Sequence, residues 1–286
     1  MNSRLDLRPK IKLLVQQVYW YLVISTILWG IPSISVAYPV YAQISYENPR
    51  EPTGKIVCAN CHLAERPIEI QVPQSVFPDT IFEAVIKIPY DSGLKQLIST
   101  GKKGSLNVGA ILILPQDFKL APTTRLSKNV KLKTEKLFIL PYGVGKSNIL
   151  VVGPLMGSKN KQVIFPILTP TFAEGTNSTF LNYPLYAGGN RGRGQVYPDG
   201  EKSNNIIVTS LLSGKIANIY VSNNGVTSVI IESRTGAKVV QKVPRGLEIS
   251  VKIGQNVNFE QPLTLDPNVG GFGQSEINII LQNIMM

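Results

Sequence analysis

Two cysteines and one histidine, the only residues of their kinds among 286, stand together as Cys58-Ala59-Asn60-Cys61-His62. A C-x-x-C-H run allows two thiols to bond to a haem while the following histidine ligates its iron. With no further cysteine in the chain, neither a four-cysteine zinc site nor a disulfide framework can be built. The run therefore predicts one covalently attached c-type haem. The alternative is a local disulfide or redox pair of the two cysteines.

A six-coordinate electron-transfer haem needs a second axial ligand, and the chain has no second imidazole. Methionine is the usual alternative. The candidates are Met1, Met156, Met285 and Met286, of which Met156 is favoured by its spacing. Met156 is equally compatible with ordinary core packing. A free backbone amine is a third source of nitrogen, and its availability depends on where the mature chain begins.

The first 37 residues have the order of an export signal. A basic start is followed by a mainly apolar run at 13–36, which the small-residue site Ser35-Val36-Ala37 closes. A retained membrane anchor is the alternative, because an apolar stretch of about 20 residues also spans a bilayer. We expect residues 1–37 to be a signal peptide. Cleavage after Ala37 leaves a mature chain that begins at Tyr38 with a free amine.

The remainder of the sequence is typical of short β-strands. Apolar or β-branched runs, bounded by Gly, Pro, Asn or Asp, lie at 82–88, 110–114, 148–152, 162–168, 205–209, 216–221, 227–232, 247–253 and 277–281. Helix signals are few: a short candidate at 92–99, and a turn or two between Tyr38 and the haem motif. We expect a mainly β protein whose large domain is an antiparallel β-sandwich, with the haem against its side and one end.

A domain boundary is expected near Asn204-Asn205, after a turn-rich stretch at 187–203. The next segment has its own hairpin signal at 223–225, because Asn-Gly favours a type I′ turn. A Gly-rich turn at 268–273 then leads into a last apolar strand. We predict a discontinuous large domain of residues 38–205 and 268–286, into which a small β domain of residues 206–267 is inserted.

The net charge of +11 indicates an acidic partner, an anionic surface or nucleic acid. Nucleic acid is the least compatible of the three with export and a haem. The G-G-N-R-G-R-G run at 188–194 matches no phosphate-loop pattern, and we interpret it as a tight turn that lets backbone and arginine approach the haem. The segment 95–103 carries lysines and no acid, so it is either a docking site or a solvated face.

Seven segments resemble cytochrome f, the large haem subunit of the cytochrome b6f complex of oxygenic photosynthesis. They are Y-P-V-Y-A-Q at 38–43, R-E-P-T-G-K-I-V-C-A-N-C-H-L-A at 50–64, F-P-D-T-I-F-E-A-V-I-K-I-P-Y-D at 77–91, K-K-G-S-L-N-V-G-A-I-L-I-L-P at 102–115, G-G-N-R-G-R-G-Q-V-Y-P-D-G at 188–200, P-R-G-L-E at 244–248 and N-V-G-G-F-G-Q at 268–274. These segments are far more specific than the haem motif alone. The resemblance implies an electron carrier and not an enzyme.

The resemblance also implies the residues of the haem site. Tyr38 would supply the second axial ligand through its α-amino group, so that removal of the signal completes the redox centre and Met156 serves in packing only. Residues expected to pack on or near the haem are Pro39, Tyr41, Pro154, Arg193 and Tyr197. Residues expected to line an internal water chain are Asn190, Gln195, Asn205 and Asn268.

Partners follow from the same resemblance. The haem would accept an electron from the Rieske iron–sulfur protein and pass it to plastocyanin or a soluble c-type cytochrome. Cytochrome b6 and the other subunits of the complex would hold the chain at the lumenal side of a thylakoid membrane, in a chloroplast, another plastid or a cyanobacterium. Family members also have a C-terminal transmembrane helix, which is not seen before Met286. The sequence is then a truncated or divergent member or a fragment, and the expected membrane association through the complex rests on the resemblance.

The basic segment would form part of the docking face for an acidic carrier, through Lys95, Lys102 and Lys103. The small domain departs from the family, since V-S-N-N-G at 221–225 lacks the lysines that plant members carry before the hairpin glycine. Steering is expected to be weaker, or shared with Lys215, Lys238 and Lys242.

Two other functions stay open on the sequence. An exported haem enzyme of peroxidase type would need an exchangeable sixth site and polar distal groups, against which the single histidine argues. An exported basic β-protein that binds acidic polymers would make the C-x-x-C-H run incidental.

Overall fold

The structure is a computed structural model that describes residues 16–17, 20–21, 39–171 and 180–282. Apart from the four positions near the start, the expected signal peptide lies outside the described residues, and so does Tyr38. Residues Ala37–Met286 form one compact unit, to which the following description applies. Among the helices in the described part of the chain, none is both long and apolar enough to cross a membrane.

Strands dominate this unit, as the sequence predicts. In chain order they are β1 (Glu69–Gln71), β2 (Ser75–Val76), β3 (Ile81–Lys87), β4 (Lys95–Leu97), β5 (Lys103–Ser105), β6 (Asn107–Ile113), β7 (Lys119–Leu120), β8 (Leu140–Pro141), β9 (Ile149–Met156), β10 (Gln162–Leu168), β11 (Phe180–Arg191), β12 (Gly214–Val221), β13 (Thr227–Glu232), β14 (Lys238–Val243), β15 (Asn256–Val257) and β16 (Gly271–Gln282). The helices are α1 (Val40–Ser45) and α2 (Lys128–Thr134), with 3-10 turns at Val57–Asn60, Thr123–Arg125 and Gly157–Lys159. The prediction of a mainly β protein is confirmed.

Two sheets pack face to face to form the large β-sandwich. One has the order β1-β3-β10-β7, and the other has the order β2-β16-β11-β6-β9-β8. Strand β3 alternates between half-buried and buried positions, and its inward residues Phe82 and Ile86 pack with Phe165 of β10. Leu112 of β6 and Leu185 of β11 close the same core from the second sheet. Complete burial of each such side chain contributes about 1.5–3 kcal/mol.

The long pair β11–β16 includes residues 187–191, the first five of the expected turn-rich stretch. Its register runs from Phe180 opposite Gln282 to Arg191 opposite Gly271, so the turn begins only at Gly192, whose φ is +78°. Glycine has a low strand propensity, which hides β11 in the sequence. Tertiary packing requires glycine at position 188, because a Cβ there would lie 2.5 Å from the ring of Phe272.

A second, smaller sheet has the order β14-β13-β12-β15 and its own apolar core. Ile216, Ile231 and Val243 are fully buried in that core. The expected hairpin at 223–225 joins β12 to β13, and Gly225 has a φ of +79°. The limits 206–267 of the inserted domain stay a prediction.

The expected helix at 92–99 is wrong, because this segment contains strand β4 of the β4–β5 hairpin. Lys95 pairs with Ser105 and Leu97 pairs with Lys103, around a turn in which Gly101 has a φ of +80°. Leu97 is 3% exposed and belongs to the core of the small sheet. Packing against a distant part of the chain therefore overrides the local preference.

Two expected strands are reduced to isolated bridges. The segments 205–209 and 247–253 contribute only the pairs Thr209–Pro262 and Ile249–Thr264. Proline has no N–H for a ladder, which accounts for the short pairing at Pro262. Strand β14 and helix α2 were not predicted from the sequence. Helix α2 begins after Ser127, whose hydroxyl accepts a hydrogen bond of 3.3 Å from the Val130 N–H.

Candidate haem-binding site

The two cysteines lie on one turn. The 3-10 helix Val57–Asn60 is followed by Cys61, whose N–H donates to the Cys58 carbonyl at 3.3 Å, and by His62, whose N–H donates to the same carbonyl at 3.0 Å. Side chains three residues apart in a 3-10 turn point to the same side. Both thiols are free, so the structure does not support the alternative of a local disulfide.

The turn is fixed from both sides by segments that are distant in sequence. On one side, the Ile56 N–H donates to Gln274 Oε1 at 2.9 Å. On the other, the Gln195 N–H donates to the Cys61 carbonyl at 2.8 Å, and Gln195 Oε1 accepts from the Leu63 N–H at 2.9 Å. Because these bonds bracket the motif, the protein itself holds the backbone that carries the two thiols and the imidazole.

The imidazole of His62 is suited to ligate a metal. Burial lowers the pKa of His62 to about 4, so the ring is neutral at pH 7 and a nitrogen lone pair is available. Its Nδ1 is buried and has no hydrogen-bond partner among the described residues. Its Nε2 lies 3.4 Å from Asn190 Nδ2. A buried ring nitrogen without a protein partner fits the role of a metal ligand.

The thiols are suited to covalent attachment. Burial raises the pKa of Cys58 to about 12, and burial together with the carboxylate of Asp199 raises the pKa of Cys61. Both groups therefore remain protonated at pH 7. Thioether formation adds S–H across a vinyl double bond, whereas binding a metal requires the thiolate. Burial therefore disfavours a thiolate-bound metal, whereas thioether bonds to a haem leave neither sulfur charged.

An aromatic cleft lies beside the turn. The rings of Tyr41 and Tyr197 meet edge to face at 6.0 Å, with an interplanar angle of 68°. The cleft has a volume of about 490 Å³, and its lining residues are Tyr41, Ser45, Tyr197, Pro198, Asp199 and Glu201. Flat, largely apolar cofactors bind in clefts lined by aromatic side chains with a few polar groups. The cleft adjoins the haem motif through Asp199, whose carboxylate acts on Cys61, and its two tyrosine rings suit a flat cofactor, so these residues fit a haem.

Helix α1 is held in place by Tyr142, a residue that the sequence did not single out. The Tyr142 hydroxyl lies 2.7 Å from the carbonyl oxygens of both Ala42 and Tyr46, and Gln43 Nε2 donates to the Tyr142 carbonyl at 2.8 Å. Ala42 packs in the same apolar cluster as Cys58. These contacts hold the segment that follows Tyr38 beside the haem motif; Pro39 forms the N-cap of α1.

Three other expected site residues have different surroundings. Pro154 is half-buried in β9, after Gly153, where a Cβ would lie 2.9 Å from the Gly109 Cα. Arg193 Nη1 lies 2.7 Å from both the Leu97 carbonyl and Asn204 Oδ1, so its guanidinium contacts the β4–β5 hairpin. Met156 is 54% exposed, which makes the interpretation as core packing wrong.

Three of the four residues expected to line a water chain, Gln195, Asn205 and Asn268, are connected by hydrogen bonds, whereas Asn190 contacts His62. The side-chain amides of Gln195 and Asn205 both donate to the Arg193 carbonyl, at 3.1 and 3.0 Å. Asn205 Nδ2 also lies 3.4 Å from Asn268 Oδ1, and Asn190 contacts His62. Asn205 Oδ1 is buried and has no hydrogen-bond partner in the described chain. The same holds for Gln96 Oε1 and Arg191 Nε, two atoms of residues that the sequence did not indicate as part of the site.

The three expected docking lysines are all exposed on the β4–β5 hairpin. Lys103 Nζ forms an ion pair with Glu248 at 3.3 Å, whereas Lys95 and Lys102 form no ion pair with another described residue. The further candidates Lys215, Lys238 and Lys242 are exposed on the small sheet, and Lys238 pairs with Glu232 at 3.6 Å.

Comparison with known proteins gives the same family along most of the chain. Residues 38–192 match the family model described as apocytochrome F, N-terminal, and residues 204–285 match apocytochrome F, C-terminal. Cytochrome f of Pyropia yezoensis is 50% identical over 282 residues, which are 98% of this chain and 88% of that protein. Cytochrome f of Chlorokybus atmophyticus is 52% identical over 270 residues, covering 94% and 85%. Cytochrome f of Tetradesmus obliquus is 55% identical over 248 residues, covering 86% and 78%. The chain belongs to the cytochrome f family, the haem-bearing electron-transfer subunits of the photosynthetic cytochrome b6f complex.

Proposed function

We propose that this chain carries one covalent haem, accepts an electron from the Rieske iron–sulfur protein and passes it to plastocyanin or a soluble c-type cytochrome. The observation that carries the proposal is the turn on which Cys58, Cys61 and His62 lie beside the aromatic cleft. When bound, a haem supplies a one-electron iron couple. The protein's own part is to hold, ligate and shield that group.

Each residue of the turn has a distinct role in this proposal. Cys58 and Cys61 attach the cofactor through thioether bonds, and neutral His62 donates a lone pair to the iron. Tyr41 and Tyr197 cover one side of the cleft and exclude water. The α-amino group of Tyr38 is the second axial ligand, which requires that residues 1–37 are removed as a signal. A primary amine must lose its proton to ligate, and a bound cation favours that loss.

The expected location follows from the same reasoning. Export places the haem-bearing unit on the lumenal side of the thylakoid membrane, where it associates with cytochrome b6 and the other subunits of the complex. Residues 38–205 and 268–286 form the haem-bearing domain, and residues 206–267 form the inserted domain. The separate apolar core of the small sheet supports this division.

Exposed lysines of the β4–β5 hairpin support docking of an acidic carrier. Lys95, Lys102 and Lys103 project from a short hairpin with no acid of its own. Basic side chains of this kind raise the encounter rate with an acidic partner in a manner that salt screens. A water chain along Asn190, Gln195, Asn205 and Asn268 is supported by Asn205 Oδ1, a buried atom without a partner among the described residues, because ordered water supplies such a partner.

Absorption spectroscopy of the purified, exported protein tests the haem proposal. We expect a low-spin, six-coordinate c-type spectrum that added cyanide or carbon monoxide does not change. A Met156→Leu variant is the matched control, and its spectrum should be that of the unaltered protein. Binding of either ligand would instead favour a peroxidase-type enzyme, and a protein without haem would favour a binder of acidic polymers.

A further inference from the structure

The β4–β5 hairpin packs tightly against the inserted domain. Leu97 is 3% exposed and packs in the core of the small sheet with residues such as Ile216 and Val243. The turn of the hairpin also contacts the backbone of the inserted domain at Gly246, where a Cβ would lie 2.3 Å from the Gly101 carbonyl oxygen. Contact this close leaves no space for the hairpin to slide.

Two residues of the segment that follows β11 also hold the backbone of the hairpin. Arg193 Nη1 donates to the Leu97 carbonyl at 2.7 Å, and Asn204 Nδ2 donates to the Ile98 carbonyl at 2.9 Å. Asn204 Oδ1 in turn accepts from Arg193 Nη1 at 2.7 Å, so the two side chains act as a unit. With the hairpin backbone fixed, the lysine side chains are the parts that remain free to change partner.

One acid of the inserted domain lies next to the lysines of the hairpin. Glu248 comes two residues after Gly246, and its carboxylate is 3.3 Å from Lys103 Nζ. Both side chains are well exposed, at 63% and 65%, so an external partner can reach them. Lys95 and Lys102 have no such carboxylate among the described residues. The three lysines of the hairpin are therefore not equivalent.

We propose that Glu248 is a specificity-determining residue of the docking surface, because it competes with the acidic groups of the carrier for Lys103. The inference rests on the proposed docking function. A carrier with a carboxylate that reaches Lys103 displaces Glu248, whereas a carrier without one leaves the internal pair intact and meets the Glu248 charge. Exposed ion pairs are worth little, about 0.2–1 kcal/mol, so the pair opens readily.

Neutralising Glu248 gives the first test. With reduced haem-loaded protein and an acidic plastocyanin at low ionic strength, Glu248→Gln should raise the second-order transfer rate by roughly 1.5- to 5-fold, the factor that corresponds to a weak exposed pair. Glu69→Gln is the matched control, because Glu69 on β1 pairs with Lys87 at the same distance of 3.3 Å and Lys87 is not a docking candidate. It removes the same charge and should raise the rate less. Equal effects of the two variants would contradict the proposal.

A double-mutant cycle gives the second test and separates the two claims. Lys103→Gln should lower the rate more in the Glu248→Gln background than in the unaltered protein, because Lys103 is then free to meet the carrier. The same loss in both backgrounds would contradict the competition. If Lys102→Gln lowers the rate while the cycle shows no coupling, the competition alone fails. If no lysine variant alters the rate, docking at the hairpin fails as well.

Discussion

The haem-binding turn and the β4–β5 hairpin are both short segments that distant parts of the chain hold in place, but only the turn has a conformation that its own sequence indicates. The turn is recognisable from five consecutive residues, and its 3-10 geometry arises from bonds to the Cys58 carbonyl within the motif. The hairpin takes its position from Leu97 in the core of the small sheet and from Arg193 in the segment after β11. Cofactor chemistry is thus local in the sequence, whereas the docking surface depends on the tertiary fold.

Removing both thiols is expected to have the largest effect, and it tests the local half of this comparison. Cys58→Ser combined with Cys61→Ser should abolish covalent haem, because thioether bonds require both sulfur atoms. Haem staining after denaturing electrophoresis measures the loss. Met156→Leu, at an exposed position, should retain full staining. Haem that survives denaturation in the double variant would contradict the assignment of the two thiols.

Truncation of Leu97 tests whether packing against the small sheet holds the hairpin in place. Leu97→Ala removes a buried side chain and should lower the free energy of unfolding by about 2–5 kcal/mol in urea titration. Leu132→Ala is the control, because Leu132 is 67% exposed on α2, and it should change stability by less than about 0.5 kcal/mol. Equal effects of the two substitutions would show that the hairpin is not anchored in the small sheet.

Arg193 could belong to either region, because the resemblance places it near the haem whereas its hydrogen bonds are to the hairpin and Asn204. Arg193→Gln removes charged hydrogen bonds to the Leu97 carbonyl and Asn204, at a cost of about 1.5–3 kcal/mol each at most. We expect lower stability and a weaker salt dependence of electron transfer, with the haem spectrum unchanged. A changed spectrum or reduction potential with normal salt dependence would instead assign Arg193 to the haem, as the resemblance implied.

Neutralisation of the hairpin lysines should have the smallest effect. Lys102→Gln with Lys103→Gln should lower the transfer rate to an acidic carrier about 2- to 10-fold at low ionic strength and flatten its salt dependence. Lys131→Gln with Lys136→Gln, at exposed positions in and just after α2, is the control of equal charge and should leave the salt slope unchanged. An unaltered slope in the hairpin variant would remove these lysines from the docking surface.

The sequence predicted the elements whose pattern is local. The strands Gln162–Leu168 and Thr227–Glu232 have the expected limits, because apolar runs end at turn residues. The strand Phe180–Arg191 was not predicted, and its last five residues were expected to be a turn because they include two glycines. These glycines are required by contacts with Phe272 and other distant residues, which the local sequence does not show. The hairpin was mistaken for a helix because its decisive contact, Leu97 with the small sheet, joins residues more than a hundred positions apart.

The same division applies to the site. The motif indicates Cys58, Cys61 and His62, and it even indicates that a second axial ligand must come from elsewhere. Nothing in the local pattern indicates Tyr142, whose hydroxyl holds α1, or Gln96, whose buried Oε1 lacks a partner in the described chain. Tyr142 acts through hydrogen bonds to residues 96 and 100 positions away, which one sequence without its fold does not reveal.

The central claim is that Cys58 and Cys61 hold one haem in a chain that is cleaved to begin at Tyr38. Peptide mass spectrometry of the exported protein after denaturation and proteolysis tests both parts together. The account predicts that the peptide with Cys58 and Cys61 carries the mass of one haem and that the N-terminal peptide begins at Tyr38 with a free amine. A peptide with unmodified thiols, or an N-terminus that retains residues before Tyr38, would contradict it.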